Sequence, residues 1–262
     1  MLSVQRRDEI KKILLARKSI TVSEMAQHFN VSTETIRRDF DSLANEGFLE
    51  KSYGGATLKI RVAHQVPQKI KSGILVENKQ RMAKKAAELI RPNDCIFLDH
   101  STTVYELCKE IENIPLTVMT NSFYVISYFA RNPNIKLVCP GGNFDINAQG
   151  FFGLELLEYL TRHYLDKAFF SCRSLDIENG LCDTEEQTAA MRRTIIAQSD
   201  SAYLLADHSK FGKRSFIHIA NLEEIDCLIT DMPLTKDWAT LLGTKGIRAI
   251  ESPEKPLTAA EK

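Results

Sequence analysis

In the first 45 residues the apolar positions recur at helical spacing. Val4, Ile10, Ile13 and Leu14 can share one face of a helix over residues 4–17, leaving Arg6, Arg7, Lys11 and Lys12 on the others. Thr21-Val22-Ser23-Glu24 has the spacing of a capping box, in which the hydroxyl and the carboxylate each bind an N–H of the first turn. A second helix then runs to His28 with Met25, Ala26 and Phe29 inward, and Asn30 ends it. Ser32 is placed to cap a third helix, along which Ile36, Phe40 and Leu43 fall on one face. After Gly47 the pattern shortens, and residues 48–58 read as two strands meeting at Tyr53-Gly54-Gly55.

Residues 59–75 lose this periodicity and hold Pro67 and Gly73, so a linker is expected there. A helix starts at Val76, with Met82, Ala83, Ala86, Ala87, Leu89 and Ile90 apolar, and stops at Arg91-Pro92-Asn93-Asp94. Beyond it, short apolar runs alternate with helical stretches. Strands are expected at 95–98, 116–119, 135–139, 167–170, 202–206 and 227–229, with helices near 102–111, 122–131, 154–163 and 185–198. This rhythm predicts an α/β domain over residues 76–250, its sheet largely parallel and covered on both faces. Residues 251–262, rich in Pro, Lys and Glu, read as a loose tail.

Composition changes this picture little. A chain of 262 residues that is 44% hydrophobic and 26% charged has room for two globular domains. The net charge of zero hides a division: residues 1–91 carry 18 Lys/Arg against 10 Asp/Glu, and the remainder 16 against 24. A basic front suits a polyanionic partner, although Lys79, Arg81, Lys84 and Lys85 of one later helix supply part of the excess. The six cysteines form no C-x-x-C, and no histidines lie near them at zinc spacing. Several sit in apolar runs, as expected of reduced thiols in a cytoplasmic protein. No metal site and no cofactor is expected. The charged N-terminus does not read as a signal peptide, and no apolar run approaches the ~18 residues of a membrane span.

The second and third helices, separated by a short turn, form a helix-turn-helix, and the two strands form a wing behind it. Ser32, Thr33, Thr35, Arg37 and Arg38 lie on the polar side of the third helix, where hydroxyl and guanidinium donors suit phosphates and base edges. Either arginine can instead serve a salt bridge. At the wing, Tyr53, Gly54 and Gly55 offer a tight turn and close backbone approach to a phosphate. The ordered set Arg6–Ile10, Thr21-Val22, Val31-Ser32, Glu34-Thr35-Ile36-Arg37-Arg38-Asp39, Leu43, Gly47 and Tyr53-Gly54-Gly55-Ala56 resembles the winged helix-turn-helix of the DeoR family of bacterial transcriptional regulators. That resemblance covers residues 1–58. It implies that Thr33, Thr35, Arg37 and Arg38 face the major groove of double-stranded operator DNA or its phosphates, and that Asp39 partners a nearby basic group.

In a parallel α/β sheet, ligands bind at the carboxyl ends of the strands. The polar segments here follow the expected strands directly. Ser101-Thr102-Thr103 and Thr120-Asn121-Ser122 each open a helix, Gly141-Gly142 lets backbone approach unobstructed, and Asp207-His208-Ser209-Lys210 brings an ammonium. Hydroxyl donors and Lys210 suit a phosphate, while Asp99 and Asn121 suit sugar hydroxyls. Such Ser/Thr clusters also serve as plain helix caps. The order Asp99…Ser101-Thr102-Thr103, Thr120-Asn121-Ser122, Gly141-Gly142, Asp176…Gly180, Asp207…Ser209-Lys210-Phe211 and Thr230-Asp231 is similar to the effector domain of the same family, whose fold is related to ribose-5-phosphate isomerase and glucosamine-6-phosphate deaminase. Two departures stand out: Ser101 replaces a common glycine, and Ser171-Cys172-Arg173-Ser174 replaces a glycine-containing turn. Arg173 either reaches a ligand phosphate or lies on the surface.

The resemblance thus implies an oligomeric repressor, a dimer or tetramer, of a carbohydrate operon, released from DNA by a phosphorylated sugar, with no membrane role. The alternative is a sugar-phosphate isomerase or deaminase carrying a DNA module. Residues 172–180 hold only Asp176 and Glu178 and lack the acidic cluster that such isomerases carry.

Overall fold

The second and third expected helices form where Thr21 and Ser32 cap them. The computed structural model describes residues 1–46, 48–58 and 67–253. Helix α1 (Ser3–Arg17) leads through a short strand β1 (Ser19–Thr21) to α2 (Val22–Phe29) and α3 (Thr33–Asn45), followed by β2 (Leu49–Ser52), β3 (Gly55–Leu58) and a single-turn helix α4 (Gln68–Lys71). Thr21 accepts a hydrogen bond from the Glu24 N–H at 3.1 Å, but the Glu24 carboxylate turns to Arg17 instead of closing a capping box. Asn30 ends α2 in the left-handed conformation that stops helices, with φ 50°.

The core of this unit gathers Ile10, Leu14, Ile20, Met25, Ile36, Phe40, Leu43, Leu49 and Ala56. One expectation for α1 is reversed. Val4 is exposed, whereas Arg6 is buried and holds Asp39 through two contacts, Nε–Oδ2 at 2.6 Å and Nη2–Oδ1 at 3.3 Å. The wing gains a third strand, β1, because β3 pairs antiparallel with both neighbours in the order β1-β3-β2. Of the expected linker, residues 59–66 lie outside the described residues. Residues 67–75 are folded into the first unit, with α4 placing Ile70 in its core.

The second compact unit begins at Val76. Its elements are α5 (Val76–Ala87), β4 (Cys95–Leu98), α6 (Thr102–Tyr105), α7 (Leu107–Ile111), β5 (Leu116–Thr120), α8 (Phe123–Phe129), β6 (Ile135–Val138), β7 (Asn143–Asp145), β8 (Gly150–Phe152), α9 (Leu154–Thr161), β9 (Leu165–Phe170), β10 (Ser174–Asp176), β11 (Gly180–Asp183), α10 (Glu186–Ala197), β12 (Ser199–Leu205), β13 (Ile217–Ala220), β14 (Cys227–Thr230), α11 (Lys236–Thr244) and β15 (Arg248–Glu251). Seven strands form one parallel sheet in the order β15-β14-β12-β9-β4-β5-β6. Separate apolar cores cover its two faces, one around Phe97, Phe170 and Leu204, the other around Ile96, Leu98 and Phe169. Alternate residues of one strand thus serve opposite cores, as in a doubly wound sheet.

The strand order reverses at β4. The chain runs outward through β5 and β6, then returns to place β9 on the other side of β4. The carboxyl ends of β4 and β9 therefore flank a topological switch point, where α/β sheets open a crevice for ligands. Two small antiparallel additions were not visible as strands in the residue pattern: the β7–β8 hairpin and the sheet β10-β11-β13. Residue 251, expected in the tail, pairs in β15, and Ser252 is buried with its hydroxyl donating to the Thr230 carbonyl; residues 254–262 lie outside the described residues.

Candidate functional site

On the first unit, the cap of α3 forms as expected. Ser32 Oγ accepts from the Thr35 N–H at 3.1 Å and lies 2.9 Å from Thr35 Oγ1, so these two hydroxyls already engage each other. Thr33 is exposed beside them. Arg37 and Arg38 are also exposed, with 63% and 79% of their side chains accessible, and each only approaches Glu34, at 3.8 and 3.5 Å. At that spacing and exposure the ion pairs contribute little. Arg37, Lys51, Ser52, Tyr53 and Gly54 line a groove of about 480 Å³ between α3 and the wing turn, shared with Glu34 and Asp41. Tyr53 is fully exposed, and Gly54 takes φ +78° with open space around it. Gly55 has a different reason to lack a side chain: it is buried, and a Cβ there would lie 2.5 Å from the Ile20 carbonyl oxygen. The absence of a side chain at Gly55 is thus accounted for by packing against β1.

The second unit brings its polar loops together at the strand carboxyl ends, but several of them are occupied internally. Asp99 is fully buried. It accepts from the N–H groups of Ser101 (2.9 Å) and Ser171 (3.2 Å) and from Arg192 Nε (3.1 Å) and Nη2 (2.8 Å). Arg192, from α10, also binds Asp183 at the end of β11. Burial opposes the charge on Arg192, but Asp183 and Asp99 hold its proton affinity above the ordinary guanidinium value. Asp99 is thus a brace between β4, β9 and α10. Thr120 donates to the Leu98 carbonyl at 2.6 Å and accepts from the Ser122 N–H at 3.0 Å, which closes the turn after β5. Ser101 and Ser122 cap α6 and α8 through the N–H groups of Val104 and Val125. Asp176 accepts from Glu178 N–H, Asn179 N–H and Asn179 Nδ2 in the β10–β11 turn, and those bonds, that of the Asn179 side chain foremost, pull its carboxyl below the usual range. Gly142 adopts φ +112° where a Cβ would meet the Phe152 carbonyl at 2.4 Å, so its role is close packing on β8; Gly141, at φ +87°, faces open space. Asp99, Thr120, Ser122, Asp176 and Gly142 thus each have a structural role at these strand ends.

What remains is a cluster of cations. Lys210 Nζ lies 3.9 Å from Asp207 Oδ2 and is largely buried. Lys79, from α5, is buried and donates to Thr102 Oγ1 at 3.0 Å, with Thr103 buried next in sequence. Burial, then the nearby Lys210, lower the Lys79 ammonium to about 8, against the attraction of Asp207 and Glu106. Arg173 is held below its ordinary value by burial, while Asp183 and Asp207 act in the opposite sense. Burial works to raise the Asp207 carboxyl, yet Lys210, bonds from Ser209 and the charge on Lys79 bring it below normal. Lys210 and Lys79 thus both act on the Asp207 carboxylate beyond β12, and that carboxylate in turn acts on Arg173. Asn121 is fully buried; its Nδ2 donates to the Phe151 carbonyl at 3.2 Å, and its Oδ1 has no hydrogen-bond donor. His208 donates its N–H to Asp231 at 2.7 Å, and its Nδ1 lies 2.8 Å from the same carboxylate. Among the described residues, no group of three or more His, Cys, Asp or Glu side chains could hold a metal ion, and no helix is long and apolar enough to cross a membrane.

Residues 6–61 match the DeoR-like helix-turn-helix domain, and residues 75–232 match the DeoR C terminal sensor domain. The chain belongs to the DeoR family. It is 34% identical to the HTH-type transcriptional regulator YulB of Bacillus subtilis over 97% of this chain and 98% of that one. It is 35% identical to the L-fucose operon activator of Haemophilus influenzae, over 82% and 86%. The HTH-type transcriptional repressor GlcR of Bacillus subtilis is 30% identical over 88% and 89%. Among solved structures, ribose 5-phosphate isomerase A of Methanocaldococcus jannaschii superposes with a TM-score of 0.39 and 16% identity over 52% of this chain and 55% of the isomerase, which carries no weight for function. As a DeoR-family protein the chain is a DNA-binding transcriptional regulator with a sensor domain, and the relatives named above are likewise transcriptional regulators.

The residue pattern of this DeoR-family chain did not single out Lys79, Asn78, Asp183 or Arg192. Lys79 sits in a lysine-rich helix with exposed Lys84 and half-buried Lys85, so nothing local distinguishes it. Arg192 partners a carboxylate 93 positions away.

Proposed function

We propose that this regulator represses a carbohydrate-utilisation operon and leaves its operator when a phosphorylated sugar binds at the carboxyl ends of β4, β9 and β12. The observation that carries this reading is Lys210 Nζ 3.9 Å from Asp207 Oδ2 beyond β12, with Arg173 and buried Lys79 near enough to feel the same carboxylate. Partly buried cations suit a phosphate, because charge-assisted hydrogen bonds are strong away from water. The buried Oδ1 of Asn121 supplies an acceptor for a sugar hydroxyl, with Thr102, Thr103 and Gly141 bordering the same loops. On the other unit, Thr33, Arg37, Arg38, Tyr53 and Gly54 form the DNA face. One recognition helix per chain favours a homo-oligomer, a dimer or tetramer, that engages repeated half-sites. Such a protein works in the cytoplasm, beside its DNA.

Ligand moves this equilibrium only through its difference in affinity for the DNA-bound and free states. The test pairs a thermal-shift panel of phosphorylated sugars and their unphosphorylated parents with anisotropy on duplex DNA from the chain's own promoter region. One phosphosugar is expected to raise the midpoint and weaken DNA binding, while its parent does neither; at about 100-fold its dissociation constant it stabilises by ~2.7 kcal/mol. A parent sugar that acts as well as its phosphate would sink the reading. Tighter DNA binding with ligand would reverse the sign, to an activator of the kind one relative is named for. His208, oriented by buried Asp231, has the geometry of a general base, so turnover of ribose 5-phosphate or glucosamine 6-phosphate is the assay for the enzymatic alternative.

A further inference from the structure

We propose that the outward face of α8 and the β7–β8 hairpin beside it form one aromatic surface through which the sensor domains of two copies of this chain pack on each other. The proposal deepens the homo-oligomer reading above and rests on it for the existence of the second copy.

Helix α8 reads Phe-Tyr-Val-Ile-Ser-Tyr-Phe and holds no charged residue. Val125 and Phe129 point inward and are buried, which leaves Phe123 and Ser127 exposed and Tyr124, Ile126 and Tyr128 half-buried. The other helices of the second unit with five or more residues, α5, α7, α9, α10 and α11, each expose charged side chains, such as Glu77, Lys109, Glu155, Arg193 and Lys236. A helix that is apolar on its outer side as well as its inner side suits a buried setting. The hairpin extends the same chemistry. The Phe144 ring centre lies 5.7 Å from that of Phe123 and 5.3 Å from that of Phe151, and Ile146 stands just beyond β7 in the turn. Phe123, Phe144 and Ile146 are 43%, 46% and 72% exposed. Together they show water roughly 300 Å² of apolar surface, the size at which a patch marks a contact site.

This surface is fixed before any contact is made. The Phe151 N–H donates to the Asn121 carbonyl at 2.8 Å, and the Phe123 N–H donates to the Gln149 carbonyl at 3.0 Å, so the hairpin and the start of α8 form one piece. Covering a preorganised surface costs little ordering entropy.

Its charge argues for a second copy as the occupant. Residues 122–130 and 143–152 contain one charged side chain, Asp145. Its carboxylate accepts from the N–H groups of Asn147 and Ala148 within the turn. Without a cation the surface offers nothing to the phosphates of a nucleic acid. A nearly neutral patch can meet its own image without like-charge repulsion, as an isologous two-fold contact requires. Its apolar centre fits the core of an interface that buries about 800 Å² per partner inside a polar rim. Helix α3 supplies the need, since one recognition helix meets one half-site and a second copy meets the next.

The test is sedimentation velocity on the full chain over a dilution series. Phe144→Asp and Ile146→Asp each place a carboxylate in the patch. Each is expected to raise the dissociation constant of this contact at least about 30-fold. The assembled mass should then halve, from dimer to monomer or from tetramer to dimer, at concentrations where the wild type stays assembled. Ile146 is the more exposed of the two, so Ile146→Asp is expected to melt like the wild type at dilutions where both have dissociated. Tyr164→Asp is the control: Tyr164 is 84% exposed ahead of β9, at the opposite end of the sheet, and its variant is expected to keep the wild-type mass. Hydrogen exchange in wild-type peptides covering residues 123–129 and 143–152 is expected to slow as concentration rises through the dissociation constant.

Wild-type mass in Ile146→Asp and Phe144→Asp overturns the proposal and leaves the homo-oligomer reading standing. Exchange at the two segments that ignores concentration while the wild type assembles does the same. A wild type that stays monomeric at every concentration overturns the homo-oligomer reading itself, and the proposal with it.

Discussion

The two units handle polar side chains in opposite ways. On α3 the arginines stand in solvent and only approach Glu34, so they are free to meet another molecule. At the strand ends of the second unit, Asp99, Arg192 and Asp183 are withdrawn from water and bound to one another. The difference follows from the partner's size. A DNA duplex is met by a surface, whereas a small ligand is met by a crevice, and a crevice needs walls held by buried polar contacts. Only part of its polar lining is then left for the ligand. On the proposed reading that part is the cationic cluster and Asn121.

The comparison breaks most visibly at the brace. Arg192→Met leaves two carboxylates buried without their cation and is expected to destabilise the second unit by about 3–5 kcal/mol, read as a lower urea midpoint. Arg38→Ala is the opposite case. It is expected to weaken DNA binding by about 1–3 kcal/mol, checked by anisotropy, with the melting midpoint unmoved. A loss of stability there would erase the contrast between the units.

The pH dependence sharpens the contrast further. Lys79 binds its proton less tightly folded, with a value of about 8, than at the ordinary lysine value of 10.5. Between those two values the unfolded chain holds more protons, so stability is expected to rise with pH across that window. Lys210, Asp207 and Glu106 face the group and set its value, with burial the largest cause. Urea midpoints taken from about pH 7.5 to about pH 9.5 should rise in the wild type more than in Lys79→Met. Phosphate affinity should fall over the same range as the ammonium is lost. The smallest effect is expected at Glu34→Gln, which removes an exposed anion between two exposed arginines. It should change stability by less than about 0.5 kcal/mol and tighten DNA binding slightly at low salt.

Much of the fold was legible because its signals are local. Ser32, Ser101 and Ser122 each cap a helix that the residue pattern begins there. The six strands read from apolar runs all lie in the parallel sheet, because a strand buried on both faces has a continuous apolar pattern. The strands that escaped notice are short and mixed, such as Ser174–Asp176, and exist through pairing with β11. Arg6 and Val4 exchanged places because periodicity ranks faces by hydrophobicity and could not weigh the pull of Asp39, 33 positions on. The site was half legible for the same reason. Lys210 and Arg173 followed strands and were noticed, while Lys79 looked like its solvated neighbours.

The sequence by itself determined the two modules, their order, the helix starts and the exposed polar side of α3, since each depends on residues within one or two turns of one another. Only the tertiary structure decided which polar groups are left for a ligand. Asp99 is taken by an arginine 93 positions away, Gly55 and Gly142 are small for the sake of neighbouring backbone, and Lys79 is buried with its ammonium on Thr102, beyond β4. Whether a polar side chain serves the fold or a partner depends on what desolvates it and what satisfies it, and both are supplied by segments distant along the chain.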